Sequence, residues 1–513
     1  MKKQFLKFIA IVSAVALLAA LTSCSLGGID VGTTAQNGTA TKTDLDPANA
    51  SSSSEMFSAS DKETGVADEA VTVTLADGAS AATGAGVTVN GDTITITAAG
   101  SYVISGTLTN GQLAVDADGD EDVRLTFNGV NITNASSAAF YIKKAEKVIV
   151  TLADGSENSL HSSGAFVQTD SNKVDGAVFS KEDLTLNGGG SLTVTSAEGH
   201  GIVSKDSLVM TGGSVTITAA KHGVQAKDDF RMLAGDLNIT SGKDGVHAEN
   251  DDDETLGFVY IEGGNITVSA ADDGIHAENY LTVEGGNIEI LKSYEGLEAK
   301  KITVDGGVIN VKASDDGLNA AGGASGQGFG FWGAGGNTGD YQLTITGGVI
   351  TVNAGGDGLD SNGVLNITGG EVYVSGPTNA GNGALDYETE GLITGGVVIA
   401  AGAAGMAENF SSSSTQGAML LSVSGAAGDA VTLKDANGSV LASYAPEKAF
   451  QTVAISAPGV TAGGTYTVTV GSETRTIEMT SLLYSDAGLG MGFGPGGMGG
   501  SGGQPGGNPP GRR

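Results

Sequence analysis

The chain has 513 residues, of which 84 are Gly and one is Cys, and its formal net charge is −33. So strong a negative charge repels nucleic acid and anionic membrane surfaces, which excludes nucleic acid as a partner and suits divalent cations. The single Cys excludes intrachain disulfides and a thiolate metal site. Aromatic residues make up only 5% of the chain, and together with the abundant Gly this favours an all-β repeat protein.

The N-terminus has the pattern of an export signal. A Lys-rich start precedes an apolar stretch, residues 8–21, that is too short for a typical membrane span. The stretch ends in Leu-Thr-Ser-Cys, with Cys24 where bacterial lipoproteins carry their lipid. We therefore expect a lipoprotein signal peptide over 1–23, lipidation at Cys24, and a location on the bacterial cell surface, with the lipid as the only membrane contact. The alternative is an ordinary signal peptide in which the Cys occurs by chance.

The next segment, residues 24–66, is rich in Ser, Thr, Ala, Gly and Asp and predicts a flexible tether. Apolar and polar residues alternate from about residue 67, as in 71–75 and 93–96, which predicts strands with one buried face.

A repeat becomes plain from Asp175. Each unit contains an acid-Gly or His-Gly step, a short strand, a second strand, a Gly-Gly turn and a third strand. The Gly of the first step recurs at Gly176, Gly201, Gly223, Gly245, Gly274, Gly296, Gly317 and Gly358. The commonest spacing is 22 residues, and the two longest spacings predict insertions near 251–257 and over 321–340.

A period near 22 residues with three short strands is typical of a β-helix coil, which buries its apolar face only by stacking on its neighbours. The sequence therefore predicts an all-β fold, a right-handed single-stranded parallel β-helix over 67–410. The pattern changes over 417–482, which predicts a small antiparallel β-module, and 483–513 predict a disordered Gly/Pro-rich tail. A β-sandwich array, the alternative, has no such period.

Alignment of the repeats on the first Gly places polar residues in two columns that face solvent. Column 1, the residue before this Gly, consists of Asp175, His200, His222, Asp244, Asp273, Glu295, Asp316 and Asp357. Column 2, two residues after the Gly, consists of Val203, Gln225, His247, His276, Glu298, Asn319 and Asp360. Asp386 joins column 2 if one extra residue is allowed, and Asp272 and Asp315 flank column 1.

Carboxylates stacked at the strand spacing of about 4.8 Å repel one another, so a cation is expected to offset the repulsion. Calcium binds oxygen ligands at about 2.3–2.6 Å, so an ion between two coils reaches carboxylates of both. We predict calcium as the cofactor, with the candidate ligands Asp244, Asp272, Asp273, Glu295, Glu298, Asp315, Asp316, Asp357, Asp360 and Asp386. Two alternatives stay open: zinc bound by the His pairs, and turn residues without any ion, because Asp-Gly is a favoured turn dipeptide.

The insertion over 321–340 contains three aromatic residues, Phe329, Phe331 and Trp332, the last being the only Trp of the chain. Aromatic rings in a Gly-rich surface loop can stack on sugar rings, so these residues are predicted to bind carbohydrate. They could equally pack onto the strands or mediate contacts between proteins.

Several segments together resemble a known family: 102–106, 127–132, 179–184, the Asp-Gly repeats, 382–387 and 448–451. The family comprises bacterial exported proteins with a carbohydrate-binding domain and a pectate-lyase-like parallel β-helix, and the similarity runs from about 68 to 482. The resemblance implies calcium binding, and binding of plant cell-wall polysaccharide such as polygalacturonate or cellulose, without clear catalysis.

The first functional hypothesis is a cell-surface, non-catalytic carbohydrate-binding protein, in which calcium bridges the acidic columns to an acidic, polygalacturonate-like polysaccharide. A polysaccharide lyase is the second, but it needs a strong base such as Arg or Lys beside the calcium. The predicted β-helix region, 67–410, offers two Arg, Arg124 and Arg231, and lysines that stand in no distinctive motif. The third is a structural adhesin that binds a surface protein. No catalytic residue is predicted.

Overall fold

The structure, a computed structural model, describes residues 56–321 and 340–487. Strand makes up 56% and helix 1%, and the main sheet is long and mostly parallel, which confirms the all-β prediction. No described helix has the length and apolar character to cross a membrane. Several predicted features lie outside the described residues: the leader 1–23, Cys24, Phe329, Phe331, Trp332 and the tail beyond 487.

The N-terminal part of the described chain contains one short helix and the first eight strands. They are α1 (Ala59–Lys62), β1 (Val71–Ala76), β2 (Ala81–Ala82), β3 (Val87–Asn90), β4 (Thr93–Leu108), β5 (Gln112–Asn134), β6 (Phe140–Lys144), β7 (Lys147–Leu152) and β8 (Glu157–Ser162). The long strand β4 pairs in parallel with β1 and β5, whereas the short β2 and β3 are antiparallel to β1 and β4.

The repeat region follows as a series of short strands within the described residues. They are β9 (Gly176–Ser180), β10 (Asp183–Gly188), β11 (Ser191–Ser196), β12 (His200–Ser204), β13 (Ser207–Met210), β14 (Ser214–Ala219), β15 (Val224–Ala226), β16 (Asp229–Met232), β17 (Asp236–Ser241), β18 (Val246–Ala248), β19 (Phe258–Ile261), β20 (Asn265–Ser269), β21 (Ile275–Val283), β22 (Asn287–Ser293), β23 (Leu297–Val304), β24 (Val308–Ala313), β25 (Leu318–Ala320), β26 (Gln342–Ile345), β27 (Val349–Ala354), β28 (Leu359–Ser361), β29 (Val364–Ile367), β30 (Glu371–Ser375), β31 (Leu385–Tyr387), β32 (Glu390–Ile393) and β33 (Val397–Gly402).

Each strand from β9 to β30 pairs in parallel with its equivalent in the next repeat, which produces three ladders that end at β31, β32 and β33. Ladder 1 joins β6, β9, β12, β15, β18, β21, β23, β25, β28 and β31. Ladder 2 joins β5, β7, β10, β13, β16, β19, β21, β23, β26, β29 and β32. Ladder 3 joins β5, β8, β11, β14, β17, β20, β22, β24, β27, β30 and β33.

The core consists of apolar side chains that occupy equivalent positions from repeat to repeat. In ladder 3, for example, Ile217, Ile239 and Val268 lie in register, and all three are buried. Full burial of such a side chain contributes about 1.5–3 kcal/mol. The Gly-Gly turns connect each ladder 2 strand to the following ladder 3 strand. Their second Gly has a positive φ, as in Gly213 (φ 83°), a conformation that favours glycine.

The last described strands are β34 (Ala418–Gly425), β35 (Val431–Lys434), β36 (Val440–Tyr444), β37 (Phe450–Ser456), β38 (Thr465–Val470), β39 (Glu473–Glu478) and β40 (Leu483–Ser485). β37 pairs antiparallel with β33 and β34, so part of the predicted module 417–482 extends the long sheet. The other part, in the order β36-β35-β38-β39, forms a separate antiparallel sheet.

Residues 56–63 pack against the outer face of ladder 2. Met56 and Phe57 are buried against Phe258 and Tyr260, and the carboxylate of Asp61 accepts hydrogen bonds from Lys147 and Thr185. These residues belong to the segment predicted to be a flexible tether. The prediction does not hold for 56–63, because two apolar side chains and a buried carboxylate attach this segment to the sheet.

Candidate metal centre

Each acid-Gly step forms the turn that leads into a ladder 1 strand. The N–H of Gly245 donates to the carbonyl oxygen of Asp273, and the N–H of Gly274 donates to that of Glu295, both over 2.9 Å. The turns of adjacent repeats therefore lie directly on one another. This contact explains why the position is Gly: a Cβ on Gly317 would lie 2.4 Å from the carbonyl oxygen of Gly358.

Ladder 1 places the residues of column 2 in register. The successive partners are Gln225, His247, His276, Glu298, Asn319, Asp360 and Asp386. Asp386 lies opposite Asp360. This is the position predicted for it in column 2 when one extra residue is allowed in the last repeat. Column 1 runs alongside, since its residues lie three positions earlier in each repeat.

Backbone contacts orient the carboxylates of column 1. Oδ1 of Asp244 accepts the N–H of Asp273, and Oδ1 of Asp273 accepts the N–H of Glu295, each over 3.2 Å. One oxygen of each carboxylate is thus bound to the next repeat, and Oδ2 is left to interact with neighbouring side chains.

Asp316, Asp357 and Asp360 form the late acidic cluster, in which carboxylate oxygens lie within 4.8 Å of one another. Burial and the neighbouring carboxylates raise the pKa of Asp316 to about 6, that of Asp357 to about 7 and that of Asp360 to about 8. Among the described residues, no Lys, Arg or His forms an ion pair with these three side chains. The cluster therefore has the donor oxygens and the unbalanced negative charge that a calcium ion requires.

Asn319 contributes a further oxygen beside this cluster. Its side chain, in a residue only 6% exposed, donates from Nδ2 to Oε2 of Glu295 over 2.7 Å, whereas its Oδ1 is buried without a hydrogen-bond donor. Asn319 lies in register with Asp360. A buried oxygen without a donor is costly, and a bound cation would remove that cost. The side chains of the late acidic cluster and Asn319 thus fit a bound calcium ion.

The middle repeats differ, because histidines lie among the carboxylates. Nδ1 of His276 is 2.6 Å from Oε2 of Glu298 and 3.6 Å from Oδ2 of Asp273. Burial opposes protonation of His276, but its hydrogen bonds to Asp273 and Glu298 outweigh burial and hold its pKa well above the usual value. The ring of His276 thus lies between two of the carboxylates predicted as calcium ligands.

The imidazole rings of four repeats form one stack. Centroids are 5.0 Å apart for His200 and His222, 4.4 Å for His222 and His247, and 4.9 Å for His247 and His276. Burial lowers the pKa of His200 to about 2 and lowers that of His222. At His247, hydrogen bonds to Asp244 and Glu249 outweigh burial and raise the pKa. The pKa is therefore lowered at the His200 end of the stack and raised at the His276 end.

Three of the predicted calcium ligands, Glu295, Asp315 and Asp386, do not belong to any group of three converging donors among the described residues. Burial raises the pKa of Glu295 to about 9, and this side chain accepts a hydrogen bond from Asn319. Asp386 lies in the repeat after the late acidic cluster, and Asp315 lies beside Asp316. Asp272 does converge with Asp244 and Asp273, and burial raises its pKa.

Sequence reasoning missed Glu408. Burial raises its pKa to about 7, the carboxylate of Asp386 adds to this effect, and Oε2 of Glu408 is buried without a hydrogen-bond donor. The residue follows β33, beyond the last repeat, so no periodic signal identifies it.

Part of the chain matches a known protein family. Residues 90–328 match the family described as carbohydrate-binding domain-containing protein. The match covers column 1 as far as Asp316 and column 2 as far as Asn319, and it ends before Asp357, Asp360 and Asp386.

A relative from Acetivibrio thermocellus, itself described as a carbohydrate-binding domain-containing protein, is 40% identical over 136 residues, which are 26% of this chain and 48% of the relative. The chain therefore matches about half the length of that relative. Among solved structures, a polysaccharide lyase-like protein from C. thermocellum, studied as a gadolinium derivative, is 32% identical, with a TM-score of 0.39. That similarity covers 46% of this chain and 92% of the other.

Proposed function

We propose that the chain is a non-catalytic carbohydrate-binding protein that holds calcium in the late acidic cluster and binds an acidic, polygalacturonate-like polysaccharide through it. The match of residues 90–328 supports a carbohydrate ligand. The observation that carries the proposal is the late acidic cluster itself, three converging carboxylates beside the unpaired Oδ1 of Asn319.

Charge explains why calcium and an acidic ligand belong together. A chain of net charge −33 repels a polyuronate unless cations lie between them. Calcium takes about six to eight oxygen ligands, more than the late acidic cluster provides, so carboxylates of the polysaccharide could complete its shell. Asp357 and Asp360 would hold the ion together with Asp316, and Asn319 would add a neutral oxygen.

We further propose that the binding surface lies outside the cell. We infer lipidation at Cys24 after removal of residues 1–23, which would anchor the protein at the bacterial surface. The ladders support a right-handed parallel β-helix, because connections between parallel strands of one sheet are right-handed in about 98% of cases. Phe329, Phe331 and Trp332 are proposed to stack on sugar rings.

A calorimetric titration of polygalacturonate oligosaccharide into the full chain, at saturating calcium, tests this function. We expect binding by the wild type, and at least a tenfold loss of affinity in Asp357→Asn, which removes one negative charge from the late acidic cluster. Asp120→Asn is the matched control, since Asp120 is exposed and lies outside both columns. Equal affinity of all three proteins would contradict the role of the cluster.

Absorbance of the same samples separates binding from lyase activity, because a lyase releases unsaturated uronide. We expect no such product. Both Arg of the predicted β-helix region 67–410 have carboxylate partners: Arg124 pairs with Glu63 and Asp122, and Arg231 pairs with Asp229. Product formation would identify a lyase instead, and absence of sugar binding together with cell aggregation would favour the adhesin.

A further inference from the structure

A second set of donor atoms, different in chemistry, lies in the earlier repeats. His222 belongs to column 1, and Asp244 and His247 belong to columns 1 and 2 of the following repeat. Oδ2 of Asp244 lies 3.1 Å from Nδ1 of His222 and 2.6 Å from Nδ1 of His247. All donor atoms of this histidine set (His222, Asp244 and His247) lie within 4.8 Å of one another.

The surroundings of the set hold its members in place. Oδ1 of Asp244 accepts the backbone N–H of Asp273, which leaves Oδ2 facing the imidazoles. Nε2 of His247 lies 3.0 Å from Oε2 of Glu249. Both nitrogens of this ring face carboxylates, and in the neutral ring a proton held at Nε2 by Glu249 would leave the lone pair of Nδ1 to a metal ion in place of the contact with Asp244.

His222 provides an independent observation. The residue is only 7% exposed, and its Nδ1 is buried without a hydrogen bond, because the contact with Asp244 lacks hydrogen-bond alignment. This nitrogen faces a carboxylate and a second imidazole. A metal ligand would have the same position.

We propose that His222, Asp244 and His247 bind a late first-row divalent metal ion such as zinc, through both Nδ1 atoms and Oδ2 of Asp244. Two imidazole nitrogens and one carboxylate oxygen suit zinc, cobalt, nickel or copper, whereas calcium prefers oxygen ligands alone. A water molecule would occupy the fourth position. The rings of His222 and His247 are inclined by 25°, so binding requires them to tilt further until their lone pairs converge.

This site joins two repeats by a bond other than backbone pairing, and it divides the columns into two chemical regions. Nitrogen donors dominate the repeats of His222 and His247, and oxygen donors dominate the late acidic cluster. The protein would thus hold two kinds of metal ion in one pair of columns, calcium in the later repeats and a softer ion in the earlier ones.

Cobalt is the spectroscopic probe, because a tetrahedral cobalt site with nitrogen ligands absorbs strongly in visible light. Cobalt is titrated into the full chain at saturating calcium, so that oxygen-rich sites are already filled. We expect a visible absorption that zinc abolishes by displacement. The absorption should be lost in His222→Asn and in His247→Asn, and retained in His161→Asn, the variant of the one His outside the columns.

Asp357→Asn separates this site from the proposed function. We expect this variant to lose its calcium response and to keep the cobalt absorption, and the two His variants to show the reverse. Retention of the absorption in both His222→Asn and His247→Asn would overturn the proposal, and so would an equal loss in His161→Asn.

Anomalous diffraction from zinc-soaked wild-type crystals gives a test that does not depend on the folding of any variant. We expect a peak about 2.0–2.1 Å from Nδ1 of both His222 and His247. A peak only at another position, or no peak, would overturn the proposal.

Discussion

The backbone N–H of Asp357 donates a hydrogen bond to Oδ1 of Asp316 over 2.6 Å. The same relationship continues to the next repeat, where the N–H of Gly383 donates to Oδ1 of Asp357. Asp316 and Asp357 therefore each use one oxygen to join two repeats and leave the other oxygen to the late acidic cluster. A single residue type thus serves both the stacking of the repeats and the proposed calcium site.

This double role predicts a specific behaviour of Asp357→Asn. The Asn side chain keeps an oxygen for the N–H of Gly383 but loses the charge, so the fold should persist. We expect calcium to raise the Tm of the wild type, and to raise that of the variant far less. Ligand binding stabilises by about 2.7 kcal/mol at a concentration of about 100 Kd. Scanning calorimetry with calcium and with chelator measures both effects.

Asp120→Asn is the control for that experiment and should respond to calcium as the wild type does. In chelator, Asp357→Asn should be at least as stable as the wild type, because it removes one of three repelling carboxylates. An equal loss of stability with calcium and with chelator would show that Asp357 acts only as a turn residue.

The late acidic cluster also predicts a dependence of stability on pH. In the folded chain the pKa values of Asp316, Asp357 and Asp360 are raised to about 6, 7 and 8, against about 3.9 in an unfolded chain. The folded state therefore binds more protons, and its stability falls as the pH rises from about 4 to about 8. Urea unfolding in chelator should show this fall, and calcium should reduce it. A fall of the same size in Asp357→Asn would contradict the assignment.

The columns could be predicted because they are periodic. The spacing of the Gly residues aligned His276 with Glu298 and Asn319 with Asp360, and ladder 1 has that register. The rest depends on contacts that do not repeat. Residues 56–63 pack on Phe258 and Tyr260, two aromatic side chains on the outer face of ladder 2. Glu408 lies after the last repeat, and the raised pKa of His276 depends on hydrogen bonds to Asp273 and Glu298 whose geometry spacing does not reveal.

The packing of the N-terminal segment gives a prediction of its own. Phe57 is 1% exposed, and its ring centroid lies 6.0 Å from that of Tyr260. Phe57→Ala should lower the free energy of unfolding by about 3–5 kcal/mol, because it leaves a cavity over ladder 2. Val66→Ala, at a residue that is 49% exposed, is the control and should cost less than about 0.5 kcal/mol. Equal urea midpoints for the two variants would show that residues 56–63 are not anchored.

The close contact between turns predicts that Gly317 tolerates no side chain. A Cβ there would lie 2.3 Å from Cγ1 of Val352 and 2.4 Å from the carbonyl oxygen of Gly358, so the repeats would have to move apart. Gly317→Ala should cost about 1–3 kcal/mol and weaken calcium binding by displacing Asp316. Gly65→Ala is the control, since a Cβ at Gly65 meets no atom within 4 Å. Urea unfolding and calcium titration measure the two effects, and an unchanged Gly317→Ala protein would contradict this packing.

Retention of the wild-type chain on insoluble polygalacturonate, with calcium and with chelator, tests the central claim most directly. The account predicts retention with calcium and release by chelator, because the ion bridges the late acidic cluster to the carboxylates of the polymer. Absence of retention in both conditions, or equal retention in both, would contradict a calcium-bridged carbohydrate-binding surface.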